Sequence, residues 1–168
     1  MSEIPTISTH IEYLEEIFKI KGILDTIIEF GMGDFSSGLL VKNGKKVVSI
    51  EMQNQSWYDK ISNKFYKMDN WEGILSLGPH AYRSLDLPEE IDLAFVDGHG
   101  GSRFDCINDM MDIGCKTIVA HDTQQSSYHW HKVKANEEYK ELTFKKHFVW
   151  TSLWTKDKEL YEKIKNKE

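Results

Sequence analysis

Cysteine is scarce in this chain. Cys106 and Cys115 are the only two, with no CxxC spacing, which reads as free thiols in a reducing, cytoplasmic compartment. Neither has a visible base partner in the sequence, so a nucleophilic role is set aside. Proline occurs only at positions 5, 79 and 88, and no Pro/Gly/Ser-rich linker, repeat or low-complexity segment divides the chain. No apolar run approaches the ~20 residues that cross a bilayer, which excludes a membrane-spanning reading. Met1-Ser2-Glu3-Ile4-Pro5 lacks a basic region followed by an apolar stretch, so no secretory signal is expected. A basic excess is missing too. There are 27 acidic against 21 basic residues, net charge -6, which disfavours a general nucleic-acid binder.

What is present is an ordinary globular composition, 40% hydrophobic and 29% charged, in 168 residues. That length builds one core and is short for two. The spacing predicts an N-terminal helix within 1–22, a core over 23–156 and a charged tail over 157–168. Thr9-His10-Ile11-Glu12 has the form of a capping box, and Ile11, Leu14, Ile17 and Phe18 share one helical face up to Gly22. Strands are predicted over 25–30, 46–51, 73–77, 91–97 and 117–121, with helices over 35–42, 55–67 and 104–113. Two late strands, near 142–146 and 149–155, would add an antiparallel edge. Strands alternating with helices of this length give βαβ units: an α/β fold with a doubly wound, mostly parallel sheet and helices on both faces.

In such a sheet, ligands bind beyond the carboxyl ends of the strands. The residues at those ends are polar, small or titratable: Gly31, Gly33 and Ser36; Glu51; Gly78, Pro79 and His80; Asp97, Gly98 and His99; His121, Asp122 and Thr123. Gly31 and Gly33 follow a strand and open a helix, where glycine lets backbone approach a ligand closely. The third glycine of the dinucleotide fingerprint is replaced by Ser36, and Asp34 on the lip would repel a phosphate. Glu51 ends the second strand, 18 residues after Gly33, where a carboxylate can accept both hydroxyls of a ribose. A solvated strand-end acid is the plainer alternative.

Glu29-Phe30-Gly31-Met32-Gly33 resembles the first motif of the class I S-adenosylmethionine-dependent methyltransferases, which are Rossmann-like. Glu51 matches the family's ribose-holding acid. Leu77-Gly78-Pro79-His80-Ala81 falls at its adenine-contacting loop, with Pro79 and His80 replacing the usual acid. Ile91 to His99 is similar to a segment of the small-molecule O-methyltransferases related to catechol methyltransferase. Thr117 to Thr123 resembles their fifth strand. The resemblance covers about residues 23–156. It implies S-adenosylmethionine as cofactor, held by Glu29, Gly31, Gly33, Ser36, Glu51, Gly78, His80 and Asp97.

The same resemblance implies a divalent cation, Mg or Mn, held by Asp97 and Asp122, with Thr123 standing where those enzymes carry asparagine. Two carboxylates at adjacent strand ends repel unless something cationic lies between them. His99 and His121 nearby would suit a softer transition metal, or one of them would act as general base. Catalysis is thus assigned to Asp97, His99, His121 and Asp122. Structural alternatives are Asp97 as a helix cap near Ser102 and His121 as a packed residue. Arg103 would bind an anionic or sugar-like substrate, or pair with Asp105 or Asp109. His129-x-His131 around Trp130 reads as a ligand pair or, more simply, a loop with an aromatic anchor. Trp57 and Trp71 fit the core or the rim of the cofactor pocket. Trp150 and Trp154 share one strand face, for packing or a self-association patch. The expected activity is O-methylation of a small hydroxylated or saccharide-like acceptor, in an open cleft or one covered by a second subunit of a homo-oligomer. The rivals are another enzyme on the same fold, one that cleaves the cofactor or runs metal-dependent chemistry, and a catalytically inactive binding module.

Overall fold

The computed structural model describes residues 9–167. The readings of Met1–Pro5, and of the first eight residues of the N-terminal segment, lie outside them. Seven strands form one sheet: β1 (Leu24–Phe30), β2 (Gly44–Glu51), β3 (Trp71–Leu75), β4 (Leu93–Val96), β5 (Thr117–His121), β6 (Lys140–Phe144) and β7 (Thr151–Thr155). Their order is β3-β2-β1-β4-β5-β7-β6. β1 to β5 are mutually parallel, and β7 runs antiparallel to both its neighbours. The predicted doubly wound sheet with an antiparallel C-terminal pair is therefore the observed one, with β6 outermost. The chain runs outward from β1 to β3, then returns to β4 on the other side of β1. That reversal puts the topological switch point between β1 and β4.

Both faces of the sheet are apolar, which is why its central strands read as unbroken hydrophobic runs. Ile28, Phe30, Ala94, Val96, Ile118 and Ala120 pack toward α4 (Arg103–Asp112). The alternate residues Ile27, Leu93, Phe95 and Val119 pack toward α1 (His10–Lys21) and its neighbours. The predicted face of α1 is the buried one, and Gly22 ends the helix at φ +74. Thr9 does not cap α1. Its hydroxyl donates instead to the Val149 carbonyl at 3.0 Å, tying the helix entry to the approach of β7. α2 (Ser36–Asn43) and α3 (Gln55–Phe65) flank β2, and Asn54 caps α3 through its side-chain oxygen. β3 begins at Trp71, two residues before the predicted start, because Trp71 pairs in register with Val47.

The predicted charged tail holds a helix, α5 (Lys158–Lys165), capped by Asp157. Its Leu160 and Ile164 are buried in the α1 layer. Lys21 at the end of α1 pairs with Asp157 at 2.5 Å, and Lys167 pairs with Glu16, so α1 and α5 lie antiparallel. Between β5 and β6 the chain forms only two 3-10 turns, Ser126–Tyr128 and Trp130–Lys132. Among the described residues, no helix is long and apolar enough to cross a membrane.

Candidate active site and cofactor cleft

The strand ends at the switch point enclose a cleft of ≈ 250 Å³. Gly31, Gly98, Met32, Glu51, Asn54 and Asp97 contribute to its lining. Gly31 has φ +89, and a Cβ there would lie 2.5 Å from Gly98 Cα. A Cβ on Gly98 would in turn lie 2.8 Å from Met52 Sδ. Gly31 is therefore required for the ends of β1 and β4 to meet at this floor, while a Cβ on Gly98 would displace the Met52 thioether and crowd the backbone of β1. Trp57 forms the predicted rim, and its indole N–H donates to the Met32 carbonyl at 2.6 Å. Trp71 lies away from the cleft and donates to Ser49 Oγ at 3.0 Å.

Glu51 is 4% exposed, and backbone N–H groups fix its carboxylate. Oε1 accepts from Gln53 at 2.9 Å and Asn54 at 3.1 Å; Oε2 accepts from Met32 at 3.3 Å. Each carboxylate oxygen takes about two such bonds, so Oε2 keeps an open acceptor position.

Glu29 and Ser36 are not on the cleft wall. Glu29 is completely buried on the α2 side of β1 and accepts hydrogen bonds from Ser36 at 2.6 Å, Ser37 at 2.7 Å and Ser49 at 2.7 Å. Burial pushes its carboxyl up to about 7, against the pull of those three hydroxyls. Ser37 Oγ also accepts the N–H of Gly33 at 3.0 Å. The two residues thus brace the glycine turn from beneath. A Cβ on Gly33 would meet Ser36 Oγ at 2.5 Å, which explains the second glycine. Asp34 on the lip is held by Lys60, at 2.5 Å, and by Lys64, both from α3. Gly78 donates to the Met52 carbonyl at 3.0 Å. His80 is exposed and stands 3.7 Å from Asp105, outside the cleft lining.

The catalytic candidates gather at the ends of β4 and β5 by strand periodicity. Phe95 and Val119 face α1, so Asp97 and His121, two residues on, point the same way. His121 Nδ1 lies 3.3 Å from Asp97 Oδ1. Burial opposes the charge on Asp97, yet the His121 hydrogen bond and the Arg103 guanidinium outweigh it and hold the carboxyl below its usual range. Asp122 adopts φ +62, a left-handed conformation that turns the chain out of β5. His99 accepts from the Gly101 N–H through Nδ1 at 3.1 Å and so closes its own turn.

Arg103 stands otherwise than the sequence reading places it. It is 6% exposed and donates to the carbonyls of Gly98 at 3.0 Å and His121 at 2.9 Å. Its guanidinium lies 3.0 Å from Asp97 and 3.5 Å from Asp122. The cation between the two carboxylates is thus an arginine of this chain. Asp105 and Asp109 pair with Arg83 instead. Arg103 is fully engaged and offers no fork to a substrate.

His10 enters the sequence reading only as part of the capping box, with no site role. It opens α1, is 5% exposed, and meets His121 edge to face with ring centroids 4.3 Å apart. Burial first, then the neighbouring His121, lower its pKa to about 3. No spacing signal marks it, because only the docking of α1 on the ends of β4 and β5 brings it there.

The loop reading of 126–132 fits the two turns. Trp130 anchors them by donating to the Asp122 carbonyl at 3.2 Å, while His129 and His131 are exposed. Trp154 is 6% exposed and packs within the chain. Trp150 is half-buried under Lys145, whose ammonium lies 4.5 Å from the ring centroid. Trp130, Trp150, Thr123 and Ser152 share a second groove of ≈ 330 Å³ beside the end of β5. Cys106 and Cys115 are buried free thiols, both pushed up to about 12 by desolvation.

No protein-family model matches the chain, and no curated protein matches it by sequence. Its backbone is similar to an rRNA methylase from Streptococcus thermophilus: TM-score 0.65, 14% identity, covering 92% of this chain and 98% of that one. A protein from Klebsiella pneumoniae provisionally assigned as an O-methyltransferase gives 0.67 at 12% identity, covering 93% and 83%. The N-methyltransferase NodS from Bradyrhizobium japonicum, in complex with S-adenosyl-L-homocysteine, gives 0.59 at 12% identity, covering 92% and 89%. At such identities the likeness is one of architecture: the chain has the Rossmann-like fold of these methyltransferases.

Proposed function

We propose that the protein is an S-adenosylmethionine-dependent methyltransferase acting on the oxygen of a small hydroxylated or saccharide-like molecule. The observation that carries this reading is the cleft at the switch point. Its floor is two closely apposed glycines, Gly31 and Gly98, and its wall is a buried carboxylate pre-oriented by three backbone N–H groups. Such a floor suits close backbone approach to a ligand, and the open position on Glu51 Oε2 suits a ribose hydroxyl. When bound, S-adenosylmethionine supplies a methyl already activated on a sulfonium.

The chain's own task is then alignment. Asp97 is the charged group of the β4–β5 constellation that reaches the cleft wall, and its side chain is 27% exposed. It would accept the hydrogen bond of the acceptor hydroxyl and orient the oxygen. His121 and Arg103 hold Asp97 ionised and in place. Neither His121 nor Asp122 lines the cleft, so their roles are positional. The groove beside Asp122 pairs tryptophan faces with hydroxyls, a lining suited to a saccharide-like acceptor. The net charge of -6 supports a small acceptor over nucleic acid.

The residues do not fit Mg or Mn between Asp97 and Asp122. The Arg103 guanidinium already pairs with both carboxylates, and Thr123 Oγ1 is engaged by the Ser152 hydroxyl at 2.9 Å. A second cation there would face the first at contact distance.

Calorimetric titration with S-adenosylhomocysteine tests the cofactor assignment. Wild-type protein should bind one equivalent. Glu51→Ala should weaken binding by about tenfold to a hundredfold, the worth of a hydrogen bond to a charged group. Absent binding in the wild type, or equal binding in Glu51→Ala, would overturn the reading.

A further inference from the structure

On the α4 face of the sheet, the groove of ≈ 330 Å³ beside the end of β5 is floored by a ladder of cross-strand pairs. Glu141 of β6 stands opposite Trp154 of β7, and Thr143 stands opposite Ser152. One step beyond the paired residues Lys145 reaches Trp150, its ammonium 4.5 Å from the ring centroid. Alternate residues of a strand share a face, so the acid, the hydroxyls and the cation lie in line. Trp130 and Val133 line the same groove from the loop after β5. The volume is that of a small-molecule site, and indole faces with a few fixed polar groups are the usual lining of one.

The polar groups of this ladder are unspent. Among the described residues Lys145 has no carboxylate partner, whereas Lys146 and Lys134 pair with Glu12 and Asp112. Glu141 likewise has no cationic partner among them. Ser152 has one hydroxyl hydrogen and donates it to Thr123 at 2.9 Å, so the 2.9 Å bond between Ser152 and Thr143 is donated by Thr143. The chain of three hydroxyls therefore ends in open lone pairs on Thr143 and a free hydrogen on Thr123.

We infer that the groove takes an acidic pyranoside, one whose ring carries a carboxylate or a phosphate. Its anion would replace Trp150 as the partner of the Lys145 ammonium, a contact worth little at an exposed site. Glu141 and Thr143 would accept ring hydroxyls, and Thr123 would donate to one. A neutral sugar leaves Lys145 unanswered, and a bare anion brings Glu141 no hydroxyl. Such a ligand is the saccharide-like acceptor of the proposed function made specific, and its assignment rests on that reading.

The test is calorimetric titration of the whole chain, free of cofactor, with methyl glucuronoside, methyl galacturonoside, glucose 6-phosphate, methyl glucoside and inorganic phosphate. At least one acidic sugar should bind one equivalent, about tenfold or more tighter than methyl glucoside and inorganic phosphate. A uronoside preferred over the phosphate ester, or the reverse, names the anion and supports the site either way. Lys145→Gln should abolish the preference for the acidic sugar over methyl glucoside, and Lys146→Gln should leave it intact. Glu141→Ala should weaken the acidic sugar by about tenfold, although it removes a charge that would repel a bare anion. No binding of any acidic sugar would overturn the proposal, as would equal binding of methyl glucoside or inorganic phosphate. So would a preference that survives Lys145→Gln or is lost in Lys146→Gln, and unweakened binding in Glu141→Ala. Uptake of S-adenosylhomocysteine with no sugar bound would refute the groove and leave the cofactor cleft standing.

Discussion

A methyl group on Gly31 would sit 2.5 Å from the Cα of Gly98, inside the backbone of the neighbouring strand end. Relief would require moving β1 against β4, the two strands that define the switch point. Gly31 also holds φ +89, which side-chain-bearing residues rarely adopt. Gly31→Ala should therefore destabilise the protein by about 3 kcal/mol, summing backbone strain and overpacking. Gly22→Ala is the control. It shares a positive φ, +74, but nothing lies within 4 Å of its Cβ, so about 1 kcal/mol is expected. Urea unfolding midpoints decide; equal losses would mean that the approach of the two strand ends is not rigid.

Arg103 is the hub of a charged network that is otherwise negative. Arg103→Met would keep the side-chain length and leave Asp97 and Asp122 without their cation. Removing one partner of a buried ion pair costs about 3–5 kcal/mol. Arg103→Lys should recover only part of this, because one ammonium cannot reach the Gly98 and His121 carbonyls and both carboxylates together. A lysine variant as stable as the wild type would remove the geometric argument.

Glu29 sets a pH dependence of stability. Its carboxyl titrates near 4.5 in the unfolded chain and is pushed up to about 7 in the fold. Below both values it is protonated in either state and contributes no slope. Between them the unfolded chain releases the proton and the folded one keeps it, so stability falls as pH rises. Above about 7 the loss is complete, on the order of 3 kcal/mol for this group. Glu29→Gln should flatten the pH 4.5–7 component in chemical denaturation. An unchanged slope in the variant would assign the dependence to other groups.

The two thiols should be silent in the native state. Cys106 and Cys115 are each 1% exposed and pushed up to about 12, so little thiolate forms at neutral pH. A disulfide-exchange reagent should label them only at the rate of unfolding, both together. Fast labelling of one would reveal a local opening near α4 or β5.

The sheet was legible because its signals are local. Ile27–Ile28, Val47–Val48 and the Leu93–Val96 run announce strands buried on two faces, and Gly22 announces a helix end. The floor of the cleft was half legible: Gly31 and Gly98 could be placed at strand ends, but their mutual contact depends on sheet register. Glu51 reads directly from its place at the end of β2. Glu29 misled, because a motif position says nothing about whether a side chain faces the ligand or the layer beneath it. Arg103 and His10 were opaque for a related reason. Each earns its place through contacts across 18 residues or more, His121 with Arg103 and Asp97 with His10, that no helical or strand period encodes.

The antiparallel pairing of the first and last helices has a topological consequence. Lys167 meets Glu16 while Lys21 meets Asp157, so both ends of the described chain lie against the same layer. The order of elements along the sequence is therefore partly arbitrary with respect to the shape. A short bridge could join the two helices, and the chain could be reopened in the exposed stretch Gln125–Ser127. The rearranged polypeptide would still lay β1 between β2 and β4, and would still close the same two glycines on each other.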